Sequence, residues 1–578
     1  MKITIPNQNW VQVNKGERLG SINASWNLDL LSNAGNVKIS PQVLPTADTN
    51  LSGLPTAFAK DITNGRDYAL CGAYIYYWKV ADLAWDAHIN VVETNNPECN
   101  LYYDDMTYWN GGLLVTVTGA ITTGVSRLAS GTWTPNWYVI VSGGSLLSGY
   151  PHPLCIAYNN LLLIGNKNNV VSITTADAVD TSAVVLPSEY TIEWIKSSST
   201  GVWIGTKNIM KGEAKVFYWD GYSENYNAGY VVGSESCFSG AIGKDNIPYV
   251  LNGYGQLLKF NGSSFQEVAR FEVANAKTHY LRGYFGTFTD ADGLNPIHRN
   301  GMAIIDDKVH ILLNATIDGD STKLLENQLS GIWCYTEENG LFHRFSLTQN
   351  YGTAKYDLGY PIISQAGAII PRPKRLGSFY AGYTTYLSGL TGGGTSRIGI
   401  VDTTDTRQKI AYFTLPKIYA EGIDEMWNNI TAIHKELVNP EDYIKVKYRF
   451  VKGFSDLQTL IAGTWTGSNT FTATIGEMEV DDEVEIVTGR GAGMTTKITD
   501  ITCTTITIAD HATAGSGTFY FRSERWTEVD TIQDLVSRFN KFSIDKNNTQ
   551  IQFKVILFGK GDSPELEKLI LNSSIQEK

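Results

Sequence analysis

The segment Cys155-Ile156-Ala157-Tyr158-Asn159-Asn160-Leu161-Leu162-Leu163-Ile164-Gly165 sets two short apolar runs on either side of an Asn-Asn turn. Apolar runs this short, bounded by turn residues, read as the two strands of a hairpin. The arrangement recurs: an apolar strand, a tight polar turn, then a second apolar strand closed by Gly or a small residue. It appears at 108–115, at 194–205 around Ser197-Ser198-Ser199-Thr200-Gly201, at 241–251, at 302–313 and from Ala368 to Gly382, with a less regular first copy at 68–78. Copies about 40–60 residues apart have the spacing of propeller blades.

A second pattern follows several of these copies. It is an aromatic strand, an Asn/Asp-Gly turn and another aromatic strand, as in Val216-Phe217-Tyr218-Trp219-Asp220-Gly221-Tyr222, in 257–265 around Asn261-Gly262, and in 332–342 around Asn339-Gly340. Asn-Gly and Asp-Gly between alternating apolar residues are strong hairpin signals because both turn positions need positive φ. Two hairpins per period predict a four-stranded blade, and a radial array of blades protects sheet edges. The chain is therefore expected to be all-β, with a β-propeller over 52–418, most simply of seven blades. A β-sandwich or several irregular β-domains across that span is the alternative.

The flanks differ. Residues 1–51 alternate short β-like pieces with turns and are too few for a core of their own, which predicts an N-terminal arm packed on the propeller, on the C-terminal region or on a neighbouring subunit. Residues 424–438, with Met426, Trp427, Ile430, Ile433 and Leu437, fit either a short amphipathic helix or a strand pair. Residues 443–450 and 550–557 alternate alike. Between them the Thr- and Gly-rich stretch 460–522 holds several short strands, among them 483–487, 504–508 and 518–521. The economical reading is a C-terminal β-sandwich made from 419–459 and 523–578, carrying an inserted small β-barrel at 460–522.

Composition narrows the partners. The 578 residues include 43% hydrophobic and 18% charged side chains, the latter below the usual ~25%. The 31 Tyr, 21 Phe, 14 Trp and 55 Gly suit strands and tight turns. A net charge of −12 disfavours nucleic acid and anionic lipid, and Pro371-Arg372-Pro373-Lys374-Arg375, the nearest thing to a basic patch, reads as a solvated turn. No sequence-specific nucleic-acid partner is expected. No run approaches the ~18 apolar residues of a membrane span. The start, Met1-Lys2-Ile3-Thr4-Ile5-Pro6, has no apolar leader region, so synthesis in a cytoplasm is expected. The Asn-x-Ser/Thr triplets at Asn23, Asn261 and Asn314 are then chance products of composition. Cys71, Cys99, Cys155, Cys237, Cys334 and Cys503 are far apart, without Cys-x-x-Cys, and read as free thiols.

No constellation of catalytic residues emerges. His-Glu-x-x-His, Gly-x-Ser-x-Gly and the phosphate-cradling Gly-x-x-x-x-Gly-Lys are absent. His88, His152, His279, His298, His310, His343, His434 and His511 lack ligand spacing and read as satisfied or solvated. Asp306-Asp307, Asp318-Gly319-Asp320 and Asp290-Ala291-Asp292-Gly293 resemble Ca²⁺-binding turns but lack a full calcium loop, so Asx-turns are the reading. Tyr102-Tyr103, Trp133 with Trp137, and Tyr383 to Tyr386 are candidates for stacking on sugar rings or for wedging between blades. No catalytic, cofactor-binding or metal-binding residue is assigned, and no cofactor is expected.

The arrangement resembles virion tail proteins of bacteriophages, especially tail nozzle (tail tubular) and tail-tip proteins. The resemblance is carried by Gly53-Leu54-Pro55-Thr56-Ala57-Phe58-Ala59, by the hairpins of 331–347, and by the coupling of Trp526 to Gln550-Ile551-Gln552-Phe553-Lys554-Val555 and Ser563-Pro564-Glu565-Leu566. The stretch 460–522 lies outside the common pattern. The resemblance implies a non-enzymatic structural component of a virion, made in the host cytoplasm. It implies a homo-oligomeric ring, taken as a hexamer, through which DNA leaves, in contact with other tail or connector proteins. The alternatives are a tail protein that binds a host-surface glycan as receptor and a propeller-type polysaccharide-degrading enzyme. The repeats lack the Ser-x-Asp-x-Gly-x-x-Trp boxes and arginine triad of sialidase-type propellers.

Overall fold

The computed structural model describes residues 2–5, 11–12, 21–22, 24–26, 28–31, 36–41, 43–46, 51–61, 64–72, 74–79, 84–90, 102–118, 123–271, 297–313, 331–347, 363–372, 378–385, 395–401, 410–415, 418–419, 425–440, 442–449, 461–474, 478, 480, 482–488, 495–509, 517–524, 527–533, 538–547, 550–559 and 564–575. Within them the regular structure is strand, apart from one short helix, Trp137–Ser142.

From Pro55 to Val401 the chain folds into consecutive four-stranded antiparallel meanders. Pro55–Asp61, Arg66–Cys71, Tyr74–Lys79 and Ala84–Asn90 form one. Others run from Tyr102–Trp109 to Thr132–Thr134, from Leu154–Ile156 to Val179–Val185, from Tyr190–Ser197 to Ala228–Val231 and from Cys237–Ile242 to Phe265–Arg270. Met302–Ile305 to Gly340–Phe345 makes the next, and Ile363–Pro371, Phe379–Thr385 and Thr395–Val401 the last three-strand run. The leading strand of each sheet packs on the leading strand of the next, and Ile363–Pro371 packs back on Pro55–Asp61. Radial meanders closed into a ring are a β-propeller.

The repeat patterns map onto hairpins. The 155–165 motif is the first hairpin of its sheet, with Leu154–Ile156 paired to Leu162–Asn166, and the 216–222 motif leads into the last hairpin of its sheet. In the 108–115 copy Asn110 and Gly111 take φ of 47° and 72°, the left-handed pair that a two-residue hairpin turn demands. The irregular copy at 68–78 is out of phase. It covers the second and third strands of its sheet, and the leading strand is Pro55–Asp61.

The boundaries of the ring differ from those expected at 52 and 418. The last sheet takes its fourth strand from the start of the chain: Leu44 pairs with Ile400 and Val43 with Val401. Ile410–Thr414 instead pairs with Gln550–Phe558 in the C-terminal region. Closing a propeller with a strand from far along the chain seals the sheet that would otherwise expose an edge.

Aromatic side chains pack between adjacent blades. Trp194 is buried where two adjacent sheets meet and donates its indole N–H to the Cys237 carbonyl at 3.0 Å. Its ring lies over Gly205 and Gly240, where an added Cβ would fall 2.0 and 2.6 Å from ring atoms. On the face carrying the first-hairpin turns, Trp109 donates to the Asn160 carbonyl at 3.0 Å, Tyr158 to the Asp220 carbonyl at 2.6 Å, and the Ser199 N–H to Asn246 Oδ1 at 2.8 Å. Each bond joins one sheet to the next.

The C-terminal region contains two further sheets. Ala24–Trp26, Ile410–Thr414, Gln550–Phe558, Tyr443–Arg449 and Thr527–Ile532 lie side by side in one, and Lys2–Ile5, Leu566–Ile575, Glu425–His434 and Phe539–Asn547 in the other. Glu425–His434 is a single ten-residue strand, which settles the helix-or-strand question in that stretch. Trp427, Ile430 and Leu569 from one sheet share a core with Phe413, Val446 and Phe553 from the other. Between paired residues Tyr448 and Thr527 the chain leaves this region and closes six strands, Ile461–Trp465 to Gly517–Glu524, into a barrel. The barrel buries its own Trp465, Phe471, Phe519 and Phe521.

The N-terminal arm is woven into both regions. Lys2–Ile5 pairs with Leu566–Ile575, Gln12 pairs with Gly340 on a propeller edge, and Ala24–Trp26 pairs with Ile410–Thr414. Leu28, Val37 and Ile39 enter the C-terminal core together with Cys334 and Phe342 of the propeller. Val37 and Leu566 exchange backbone hydrogen bonds of 3.0 and 3.1 Å. Beside them Glu565 accepts from Asn36 Nδ2 at 2.8 Å and pairs with Lys435 at 2.6 Å and with Lys38.

Candidate functional site

The leading strands of the ring line a cavity of about 320 Å³ on the propeller axis. Phe58, Met106, Ile242, Ile304 and Ile370 supply apolar walls, because inner strands alternate or run wholly apolar where both faces are covered. The floor is polar. The connecting segment His298–Asn300 crosses the axis, and Asn300 acts as its hub. Its Nδ2 donates to Asp105 Oδ1 at 3.0 Å and to the Thr56 carbonyl at 3.3 Å, and its Oδ1 accepts from Lys196 Nζ at 3.2 Å. Its carbonyl accepts from the Ile369 N–H at 2.9 Å, and the neighbouring Arg299 carbonyl accepts from Ser239 Oγ at 2.7 Å. One short segment thus ties most of the ring together.

Asp105, 6% exposed, is held by three N–H donors: Met106 and Leu154 at 2.9 Å and Asn300 at 3.0 Å. That satisfies a carboxylate in a low-dielectric setting. Cys155 lies close enough to feel Lys196 and Asp105, but burial pushes its thiol up to about 12, more than the ammonium of Lys196 lowers it. A thiol held protonated is no nucleophile. Lys196 is the cation of the cavity lining.

A second cavity, about 950 Å³, opens where Leu30 and Leu31 of the arm approach the turns 243–249, 306–309 and 335–339. Ion pairs cross it from Lys244 to Asp307 at 3.2 Å and from Lys259 to Glu337. Hydrogen bonding to Glu337 raises the Lys259 ammonium above its ordinary range. The lining is a mixed-charge polar cleft rather than a converging set of one chemistry.

The structure distributes the sequence candidates widely. Asp306 and Asp307 form a tight turn with φ of 50° and 62°, and Asp307 faces Lys244, so the pair is an ion-paired turn. Residues 290–293 and 318–320, His279, His511, Cys99 and Tyr386 lie outside the described residues. Among the described residues no cluster of His, Cys, Asp and Glu has the geometry of a metal site. His310 is buried between the Lys308 carbonyl and the Arg344 guanidinium, and burial followed by the Arg344 charge lowers its imidazole to about 3. His152 sits between the Gly165 and Leu147 carbonyls at 2.8 and 3.0 Å, and His434 between the Lys435 carbonyl and Asn540 Oδ1. Trp137 and Tyr383 are buried, which removes them as sugar platforms, and Arg127 lies over the Trp137 ring at 5.3 Å. Cys71, Cys155, Cys237 and Cys334 are buried free thiols, and Cys503 is exposed. The Asp105, Lys196 and Asn300 set carries no sequence motif, so nothing in the sequence singles it out.

No helix among the described residues is long and apolar enough to cross a membrane. No protein-family model and no curated protein sequence matches the chain. Solved structures similar to it are a streptogramin B lyase (11% identity, TM-score 0.37, 62% of this chain and 96% of that one) and the Dos1 propeller (10% identity, TM-score 0.36, 64% and 92%). A third is the Cps50 (Swd1) β-propeller domain from Myceliophteria thermophila (9% identity, TM-score 0.37, 62% and 99%).

Proposed function

We propose that the chain is a structural component of a bacteriophage tail, a nozzle or tail tip, that assembles as a homo-oligomeric ring, taken as a hexamer, in the virion. In this reading the propeller has seven blades and the two C-terminal sheets form a β-sandwich with the barrel as an insertion. The observation that carries the proposal is the weaving of the arm. Residues 2–45 add strands or core residues to the propeller and to both C-terminal sheets, which makes one mechanically continuous block rather than hinged lobes. Such a block suits a load-bearing part of an assembly. Because the arm is used inside its own chain, the ring contacts are assigned chiefly to the C-terminal region, and the arm acts as an internal staple rather than as a joint between subunits.

The chemistry supports a non-enzymatic role. The polar groups at the propeller axis satisfy one another, and the nearest thiol is held protonated. An acidic surface of net charge −12 would line a DNA exit path without holding the polymer. Other tail or connector proteins are the expected neighbours. A second reading, host-surface glycan binding, is favoured by one feature. Tyr158 and Tyr222, 40% and 72% exposed, stand edge to face on one propeller surface with centroids 6.0 Å apart.

The test is to purify the full chain, determine its assembly by analytical ultracentrifugation and negative-stain imaging, and locate it in virions by gold labelling. A closed ring on the tail axis is expected. A chain that is monomeric in the virion, or one that cleaves glycans when purified, would overturn the proposal. Loss of glycan adsorption in Tyr158→Ala and Tyr222→Ala would favour the receptor reading.

A further inference from the structure

We propose that Asn261 is a self-modifying site: the backbone nitrogen of Gly262 displaces ammonia from the Asn261 side-chain amide, and the hairpin tip acquires an aspartate or isoaspartate carboxylate as the protein ages. This rests on the geometry of one propeller hairpin and not on the role in a virion.

The chain holds six Asn-Gly pairs, with Asn at 64, 110, 252, 261, 300 and 339. Glycine has no side chain to crowd the attacking nitrogen, so each pair has the sequence for this reaction. The fold separates them. Asn252 is fully buried, and the Gly253 N–H is bonded to the Ser236 carbonyl and Ser234 Oγ. Asn300 Nδ2 is bonded to Asp105 and the Thr56 carbonyl, and the Gly301 N–H to the His298 carbonyl at 2.7 Å. Gly340 is held in the ladder opposite Thr336. Asn64 and Asn110 are exposed, but their amide nitrogens, which must leave, are tethered to Asp61 Oδ2 at 2.6 Å and to the Thr175 carbonyl at 2.9 Å.

At Asn261 these restraints are lifted. Asn261 and Gly262 are exposed in the turn that joins Gln256–Phe260 to Phe265–Arg270. Among the described residues neither Asn261 Nδ2 nor the Gly262 N–H has a bonded acceptor, and the space beside Gly262 is open. Asn261 Oδ1, by contrast, accepts from the N–H groups of Ser263 and Ser264 at 3.0 and 2.9 Å and from Ser263 Oγ at 3.1 Å. Donors converging on a carbonyl oxygen stabilise the oxyanion that forms when its carbon is attacked. Once hydroxide has taken the Gly262 amide proton, the nitrogen adds to Cγ. The Cγ–Nδ2 bond then breaks, Nδ2 leaves as ammonia with a proton from water, and a succinimide remains. Water opens that ring at either carbonyl. The sum consumes one water, releases one ammonia, transfers no electrons and leaves one new carboxylate.

The full native chain, incubated at mildly alkaline pH and sampled over weeks, tests the assignment. Peptide mass spectrometry follows amide-to-acid conversion at all six pairs, and isoaspartyl methyltransferase labelling detects isoaspartate. Asn261 is expected to convert several-fold faster than Asn64 and Asn110 and to yield isoaspartate. In urea, where the turn is gone, its lead should disappear. Asn261→Gln should remove the isoaspartate signal, and circular dichroism verifies that this variant folds. An Asn261 still intact when Asn64 or Asn110 has converted, conversion to aspartate without isoaspartate, or a lead that persists unchanged in urea would each overturn the proposal.

Discussion

The Nδ2 of Asn300 donates to Oδ1 of Asp105 at 3.0 Å, joining residues 195 positions apart across the axis of the propeller. Asp105 lies on Tyr102–Trp109 and Asn300 in the segment leading into Met302–Ile305, whose sheets are not neighbours in the ring, so the bond works as a cross-brace where packing between adjacent blades cannot act. Asp105→Ala would remove the side-chain acceptor of the Met106 and Leu154 N–H groups and one of the two acceptors of the Asn300 amide in a buried site. A loss of about 3 kcal/mol in the stability of the propeller is expected, read from urea unfolding followed by tryptophan fluorescence.

Gly205→Ala places a methyl group against the Trp194 ring, 2.0 Å from its nearest atom before relaxation. The indole is fixed by its bond to the Cys237 carbonyl and by Gly240 on the far side, so it has little room to move. Overpacking of this kind costs about 2–3 kcal/mol. The same substitution at Gly111, where space is open but φ is 72°, should cost about 1 kcal/mol from backbone strain alone.

Glu565 gives the arm a dependence on acid. Burial raises its carboxyl, but the bonds from Lys38, Lys435 and Asn36 outweigh that and hold it at about 2, below its ordinary 4.5. A depressed carboxyl contributes stability that is present above its unfolded value and lost as pH falls through the folded one. The attachment of residues 36–39 to the C-terminal sheet should therefore weaken between about pH 4.5 and 2. Hydrogen exchange at Val37 and Leu566 across that window should accelerate in the native chain, and Glu565→Gln should show faster exchange already at neutral pH with a flatter profile.

Excising the barrel should leave the rest folded. Its core residues Trp465, Phe471, Phe519 and Phe521 belong to a separate cluster, and the chain leaves and returns beside the paired residues Tyr448 and Thr527. Replacing 460–522 with a short Gly-Ser linker should preserve the main thermal transition measured by calorimetry. Its collapse would mean that the barrel supports the sheets beneath it.

Local signals were readable wherever a hairpin is local. The Asn110-Gly111 and Asp306-Asp307 turns and the strands on either side follow from turn chemistry and apolar patterning. The matching alternation of 443–450 and 550–557 reflects direct pairing, Val446 to Val555. Phase was harder. The 68–78 copy matches the motif yet is the second hairpin of its sheet, because Arg66–Cys71 and Tyr74–Lys79 contain apolar runs like those of a leading hairpin and the pattern does not count from the axis. Pairings over long separations left no trace: a three-residue strand such as Val43–Pro45 has too few positions to show a period. The candidate site was the least legible part. Asp105, Lys196 and Asn300 are ordinary residues that become a site only when the ring closes, whereas the conspicuous Trp137 and Tyr383 proved to be filling.

The strand Val43–Pro45 has its partner in Thr395–Val401, and Lys2–Ile5 has its partner in Leu566–Ile575. On the ribosome these opening segments therefore emerge long before anything exists for them to pair with. The ring stays unsealed until Val401 has been made, and the first strand waits for almost the last. Bringing such distant pieces together is slow compared with forming hairpins. For much of synthesis the nascent chain presents open strand edges, the surfaces on which neighbouring polysomal copies would mispair. Productive yield in a cell should therefore depend on translation speed and on holdase chaperones more than on the final stability of the folded molecule.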